Sequence, residues 1–309
     1  MTSVLDIARA LGLQSDSDLQ IRGVSAASSP EPHTLTFIKS WREDSQDLVR
    51  SHPATLFLVP DDAEVHGDNV LAVPKPRLAY ALILRDVLHD AVEAVIESTA
   101  SVSPQATIGE SVSIGHFVVV EDGVVIGPGS RIDHHAVLRA GVTVGERVRI
   151  GSHTSIGGPG FGFEVDESGA PIRIGHRGGV VIGDDVEIGN HCSIAQGTIE
   201  PTRIRDNVKI DDCVFIAHNV DIGEATYIIA GAAVCGSVSI GERVWVSPAA
   251  TIIQKVTIED DALVGIGAAV IRDVEANAVV AGVPAKRLGD RYPDVGEHEE
   301  PQRPGVASS

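Results

Sequence analysis

The residues best equipped for chemistry in this 309-residue chain lie at 216 to 221, Ile-Ala-His-Asn-Val-Asp, where His218 interrupts a run of aliphatic and small residues. Imidazole titrates near neutrality, so a neutral ring at the edge of a scaffold can act as a general base, drawing a proton from an amine or hydroxyl as it attacks an acyl donor. Position alone leaves a structural or solvated histidine as the alternative. Asp211 and Asp212, close along the chain, are candidates to orient the ring. Corner amides near Gly231 or Gly236 are candidates to hold an oxyanion.

The elements that must position His218 follow from a strict repeat. An aliphatic residue recurs at every sixth position from Val102 to Ile156, again at Ile182, Ile188 and Ile194, and then from Ile204 to Val270, 25 positions in all. Two residues before it stands a small or β-branched residue, as at Ala106, Val118, Val148, Cys192, Val214, Ala250 and Ala262. An amphipathic helix needs a period of about 3.6, and none survives here. Two inward positions in six suit short strands joined by tight corners. Three hexads close one triangular coil, so the repeat predicts about eight coils of a parallel β-helix. Glycines after the aliphatic residue, such as Gly109, Gly127, Gly145 and Gly241, mark corners needing a left-handed backbone or a close approach.

Before the repeat, residues 4–12 and 78–89 read as helices, and 20–25, 34–38 and 55–59 as strands. Together they predict a small α/β domain over residues 1–100, joined by the linker STASVSP to a coil domain spanning 101–288. Residues 157–181 break the register and must leave the coil as a loop, whose Gly-rich start can lay Phe161 and Phe163 over a neighbouring cleft. Lys255 falls two coils beyond His218, about 9 to 10 Å away, as a candidate phosphate or donor contact or else an exposed scaffold lysine. With the insertions removed, His116, His134, His135, His153 and His191 share one face, and His135, His153 and His191 one column. That column offers metal ligands, a subunit cleft or a solvated ladder, and the ladder or cleft is the expectation. The polar end, 289–309, reads as a disordered tail.

Composition narrows the partners. The 24 Lys and Arg against 43 Asp and Glu leave a net charge of −19, which repels nucleic acid and anionic lipid and confines any phosphate site to a local basic patch. Three cysteines without C-x-x-C spacing indicate neither a disulfide framework nor a zinc site. With no apolar run of about 18 residues and no leader pattern, a cytoplasmic protein without a membrane span is expected.

The segments GFGF, IRIG, VVIGDDVEIG, KIDDCVFIAHNVDIG and AGAAVCGSVSIG together resemble the UDP-3-O-acylglucosamine N-acyltransferase family of hexapeptide-repeat enzymes. IRGVS, LTFI and AVPKPRLAY resemble that family's uridine-binding domain, so the likeness spans about residues 4–270. It implies a mainly β protein, a left-handed parallel β-helix with a small N-terminal α/β domain. The implied activity moves an acyl group from a thioester carrier to the amine of a UDP-activated amino sugar, in lipid A-like biosynthesis. His218 is then the base, with no bound cofactor. Lys255, Asn219, Phe161 and Phe163 are substrate contacts, and Phe37 and Trp41 stacking candidates for uracil. Coil faces with aliphatic exteriors pack side by side, so a homotrimer is expected.

The chain departs from the family at two places: Lys255 replaces a second histidine, and Ala195-Gln196-Gly197 replaces Asp-Arg-Gly. Its end, VIRDVEANAVVAGVPAKRL, resembles acetyl-CoA-dependent sugar acetyltransferases, which implies Lys286 and Arg287 near CoA phosphates. Acyl carrier protein and CoA are therefore both candidate donors, and an acetyl-CoA-dependent sugar N- or O-acetyltransferase is the rival enzyme. The altered residues also fit an inactive sugar-nucleotide-binding or scaffold protein.

Overall fold

The structure is a computed structural model that describes residues 2–65, 67–88 and 94–292, and its chain divides into two compact units between residues 92 and 93. In the first, the helix Val4–Ala10 is capped by Ser3, whose hydroxyl accepts the Asp6 N–H at 3.2 Å. Four parallel strands, Gly23–Val24, Thr34–Phe37, Leu56–Pro60 and Val70–Val73, lie in chain order. Ile7, Leu35, Leu56, Leu58 and Ile83 join helices and sheet in one core. The last helix, Pro76–Asp86, starts two residues before the spacing indicates, because a proline in the first turn gives up no helical hydrogen bond. Its expected end at residue 89 lies outside the described residues. The short helix Ser45–Ser51 and the strand Val70–Val73 carry too few residues for a periodic signal, and the sequence reading misses both.

The second unit is the coil. Short strands stack into three sheets: a first face from Ser101–Val102 to Ala269–Val270, a second from Thr107–Ile108 to Thr257–Ile258, and a third from Ser113–Ile114 to Ala278–Ala281. Pairing is parallel and in register, Val120 between Val102 and Leu138 for example, so the sixth-position residues build a continuous interior column. The first face has nine strands, one more than the coil count predicts. The coil starts earlier than Val102: Ile96, one hexad before it, bridges Ile114, and the Glu97 N–H donates to the Ile114 carbonyl at 2.9 Å. STASVSP is therefore part of the coil rather than a linker.

Corner geometry separates the two roles that glycine can play. The positive-φ residue is the third after the aliphatic position, as at Arg147 (54°), His153 (61°), Asn219 (60°) and Lys255 (63°). The glycine just after the aliphatic residue answers the other need: a Cβ on Gly127 would overlap the Gly145 carbonyl one coil up. Where a hydroxyl points inward it serves two coils. The Thr154 Oγ1 donates to the Gly189 carbonyl at 2.7 Å and accepts the Cys192 N–H at 3.0 Å.

Both breaks in the period leave the coil at one edge, between the first and second faces. Residues 159–179 connect Ser155–Gly158 to Val180–Ile182 and include the hairpin of Phe163–Val165 with Pro171–Arg173. Residues 196–201 connect Ser193–Ala195 to Thr202–Ile204 at the same edge, one coil up.

The far end corrects the expected tail. Lys286–Asp290 pairs antiparallel with Ala278–Ala281, Arg291 Nη1 donates to the Arg243 carbonyl at 2.6 Å, and the Tyr292 N–H donates to Asn277 Oδ1 at 2.8 Å. The last coil would otherwise present an unpaired strand edge, and this stretch covers it despite its polarity. The rest of the expected tail, 293–309, lies outside the described residues. No described helix is long and apolar enough to cross a membrane.

The corner geometry can be tested by substitution. Gly127→Ala should cost about 1–3 kcal/mol through overpacking. Gly123→Asn, at φ 70° with open space around its Cβ position, should cost less than about 1 kcal/mol because asparagine tolerates the left-handed region. Calorimetric melts of the two variants compare the effects, and equal losses would contradict the close-approach argument.

Candidate active site

His218 stands on the edge from which both insertions emerge, in the corner between Phe215–Ile216 and Asp221–Ile222. The 18-residue rise of the coil stacks Gly236 and then Gln254 above it, and Ser237 and then Lys255 above Asn219. The Ser237 N–H donates to the His218 carbonyl at 2.9 Å and the Lys255 N–H to the Gly236 carbonyl at 3.0 Å. This edge and the excursion enclose a cleft of about 490 Å³, lined among others by Gly160, Phe161, Phe215, His218, Gly236 and Lys255. Lys255 is exposed and has no ion-pair partner among the described residues. In a chain this acidic, it is a cation free to meet an anionic ligand.

The hydrogen bonds around Asn219 fix the chemistry of the imidazole. Asn219 Oδ1 accepts the Thr198 N–H at 3.2 Å and the Thr198 hydroxyl at 2.8 Å, while Asn219 Nδ2 donates to the Glu200 carbonyl at 3.2 Å. A backbone N–H can only donate and a carbonyl only accept, so the amide can face just one way. His218 Nδ1 lies 3.0 Å from that same Oδ1 and must be the protonated nitrogen. Nε2 then carries the lone pair of the neutral ring, which is what a base needs. Thr198 and Glu200 belong to the short second insertion, so its structural purpose is to hold Asn219.

Asp211 and Asp212, the orienting residues suggested by chain proximity, act elsewhere. Asp211 accepts the N–H groups of Asp212 and Ala230, at 2.8 and 3.2 Å, and Asp212 accepts the Asn190 N–H at 2.6 Å. Alternation and corner turns send them away from a histidine only six or seven residues on.

The long excursion supplies a second histidine that the sequence reading misses. His176 is buried, its Nδ1 lies 2.9 Å from the Ile174 carbonyl, and its ring packs edge to face on His218 with centroids 5.0 Å apart and planes at 61°. Burial holds its pKa below the ordinary 6.5, with further lowering from His218 and Arg173. The only sequence signal was a histidine inside an insertion on the His218 edge. The glycines of GFGF make room for it: a Cβ on Gly160 would come within 2.8 Å of His218 Cβ and against His176 Nε2. On the other side, a Cβ on Gly236 would sit 2.8 Å from His218 Cε1 and Nε2.

Backbone donors complete the cleft. On other edges, the corner amide two residues after the aliphatic position is often capped by a side chain from the next coil, as where Asp184 Oδ1 accepts the Glu146 N–H and Asp260 Oδ1 the Glu242 N–H, both at 2.8 Å. Here the equivalent amides of His218 and Gly236 have no acceptor among the described residues. Gly236 thus carries an uncommitted N–H in the cleft lining. Gly231 does not: it belongs to the edge between the third and first faces, and its N–H is committed to the Asp212 carbonyl at 3.1 Å.

Other expected residues divide similarly. Phe161 lines the cleft at 83% exposure; Phe163 sits behind it, rings 5.0 Å apart, with the Arg173 guanidinium 4.5 Å over its own ring. Lys286 and Arg287 lie on the closing strand, outside the cleft lining, and Arg287 is occupied by Glu275 and Asp290. In the N-terminal unit, Phe37 pairs with Tyr80 at 5.0 Å beside an open groove that also includes Lys39 and Arg42. Trp41 packs instead against the cluster of Ile38, Val49 and Phe57, and Tyr80 is the aromatic beside Phe37 in the groove.

The histidine column is real but lies on a different edge. His135 and His153 stack at 4.7 Å with planes 4° apart, and His153 and His191 at 4.9 Å and 1°. The in-plane lone pairs of parallel rings run parallel and cannot converge on one ion. Among the described residues, no group of three His, Cys, Asp or Glu side chains is arranged to hold a metal.

Comparison with known proteins agrees with this geometry. A family model described as the GMPPB C-terminal domain matches residues 86–203. The UDP-3-O-acylglucosamine N-acyltransferase of Coxiella burnetii (strain RSA 493 / Nine Mile phase I) is 34% identical over 256 residues, covering 76% of this chain and 75% of the relative. The chain belongs to the UDP-3-O-acylglucosamine N-acyltransferase family. The enzyme of that name from Pseudomonas savastanoi is also 34% identical, over 73% of this chain and 69% of the relative. Among solved structures, the Francisella novicida UDP-N-acetylglucosamine acyltransferase aligns with TM-score 0.59 and 27% identity, covering 63% of this chain and 70% of that one. As a member of this family the protein is an acyltransferase, and its coil is the left-handed hexapeptide β-helix.

The buried His176 predicts a pH effect. In the unfolded chain its pKa is the ordinary 6.5, and in the folded chain it is lower. As pH falls through 6.5 the unfolded state gains a proton that the folded state resists, so stability is lost; above 6.5 there is no difference. The melting temperature of the wild type should therefore fall more between pH 7.5 and 5.5 than that of His176→Gln. Parallel curves would contradict a neutral buried imidazole.

Proposed function

We propose that this acyltransferase moves an acyl group from a thioester carrier to the amino group of a UDP-activated amino sugar, with His218 as the general base. The observation that carries this reading is the fixed tautomer: Asn219 holds the Nδ1 proton and leaves the Nε2 lone pair for the acceptor amine. In the reaction, Nε2 takes the amine proton as nitrogen bonds to the thioester carbonyl carbon. The oxyanion of the tetrahedral intermediate meets the free Gly236 N–H, and its collapse breaks the C–S bond and releases the carrier thiol. The His218 imidazolium then gives that proton to the departing sulfur, so the amine proton ends on the carrier thiol and no outside reactant is needed.

Lys255 supports an anionic ligand beside the acyl centre, either the pyrophosphate of the sugar nucleotide or the phosphate of the carrier arm. The Phe37 and Tyr80 groove, with Lys39 and Arg42 nearby, supports uridine binding by the N-terminal unit. The family names favour a lipid A-like acceptor and a protein-borne acyl chain. With Arg287 paired and Lys286 on the closing strand, the case for CoA recognition at these two residues is weaker.

The decisive assay follows acyl transfer to a 3-O-acylated UDP-glucosamine from acyl carrier protein and from acetyl-CoA. Turnover with the carrier protein is expected, with His218→Ala lowering kcat about 10²–10⁴-fold. Unchanged transfer in that variant would refute the base assignment, and turnover only with acetyl-CoA would favour the sugar acetyltransferase reading.

A homotrimer is the assembly proposed for the face beside this edge. The first face, which borders the cleft, presents Val119, Val137, Ser155, Phe215, Ala233 and Thr251 outward, none of them charged. Such a face suits packing against a second copy. Sedimentation equilibrium should give three times the chain mass, and a monomer would contradict shared sites.

A further inference from the structure

We propose that His176 is a positioning residue of the acyl-transfer site, holding the His218 imidazole in the one orientation that turns Nε2 into the cleft. The inference rests on His218 as the base and extends it to the long excursion, which has no place in the hexad pattern. Its basis is geometric. His176 is the buried residue of the excursion's return leg, anchored by its own Nδ1 on the Ile174 carbonyl at 2.9 Å. The chain wraps it so closely that Gly160 and Gly162 have no room for a side chain: a Cβ on Gly162 would lie 3.0 Å from His176 Cε1. Its ring meets His218 at 61° and 5.0 Å, which blocks rotation of the base toward the excursion.

On the opposite side Gly236 leaves a slot just wide enough for the ring, and below it Asn219 receives Nδ1. Three contacts from three segments thus define one pose. Asn219 sets which nitrogen is protonated, Gly236 leaves space for the other, and His176 closes the remaining side. A hydrophobic residue of similar size would fill the volume but could not anchor itself on the Ile174 carbonyl, and it would leave that acceptor unpaired beside a buried contact. Histidine meets both needs while uncharged.

The groups facing His176 agree with an uncharged ring. His218 lies on the coil corner, Arg173 on the excursion hairpin, and no carboxylate is among the groups that set its ionisation. A positive charge at His176 would oppose the imidazolium that His218 becomes during proton transfer.

The test uses the full-length chain in two independent readouts. In ¹⁵N imidazole spectra of the free protein at pH 8, the wild type should show His218 in a single Nδ1–H tautomer. His176→Ala should show mixed tautomers or exchange-broadened signals. In steady-state assays, His176→Ala should lower kcat by about ten- to a hundredfold, the scale expected for a misplaced catalytic group, with KM for both substrates within about twofold. His176→Gln, whose amide can still donate to the Ile174 carbonyl, should recover most of both properties. An unchanged His218 tautomer together with an unchanged kcat in a folded His176→Ala would overturn the proposal, as would an effect confined to KM. If His176→Ala fails to fold, His176→Leu takes its place under the same criteria. The spectra need no turnover, so they stand or fall separately from the assignment of His218 as base.

Discussion

The structure depends on one constraint: each coil must place its backbone directly over the one below, so that short strands pair in register and the interior column of aliphatic side chains stays unbroken. Parallel ladders of two-residue strands leave no freedom for slippage, since a single-residue shift would turn every interior side chain outward. Additional chain can therefore enter only at a corner. Both insertions do so on the same edge, and that edge carries His218. The uniform scaffold makes this irregular edge stand out from the other two.

On other edges, corner amides are often tied up by side chains from the next coil, with Asp184, Asp212 and Asp260 serving as caps. These bonds reinforce the stack. At the His218 edge glycine stands where the capping residue would be, and the amides of His218 and Gly236 have no acceptor among the described residues. A free N–H at the surface of a rigid coil costs little while water can reach it, and it needs no rearrangement when charge develops nearby. The same residue, Gly236, clears the space that the imidazole occupies. One missing side chain thus leaves both the slot for the His218 ring and an uncommitted backbone donor beside it.

Much of this arrangement was legible in the residues. The period of six gave the coil, its faces and the place of the excursion, because interior packing imposes that period directly on the sequence. It also put Lys255 two coils above His218, and the structure places both in one cleft with Gly236, which only proximity along the chain had suggested. What stayed hidden depended on chain that follows no period. His176 meets His218 across 42 positions of sequence, through an excursion with a shape set by glycines and a buried ring rather than by alternation. Asn219 meets His218 Nδ1 with its amide held by Thr198 and Glu200 of the second insertion, whereas proximity along the chain pointed to Asp211 and Asp212. Gly231 was separable in principle: it lies 12 residues from Asn219, not 18, and so falls on another edge. The structured stretch 289–292 was misread as tail because an exposed strand edge attracts partners for its backbone, and polarity says little about that demand.

The central claim is that acyl transfer takes place at this edge, with the amine against His218 Nε2 and the oxyanion at Gly236. A crystal structure with the N-acylated UDP-sugar product tests it most directly. The account predicts the new amide nitrogen within hydrogen-bond reach of Nε2, about 3 Å, with its carbonyl oxygen toward the Gly236 N–H. A product seated on another edge, for example beside the His135, His153 and His191 column, would contradict it.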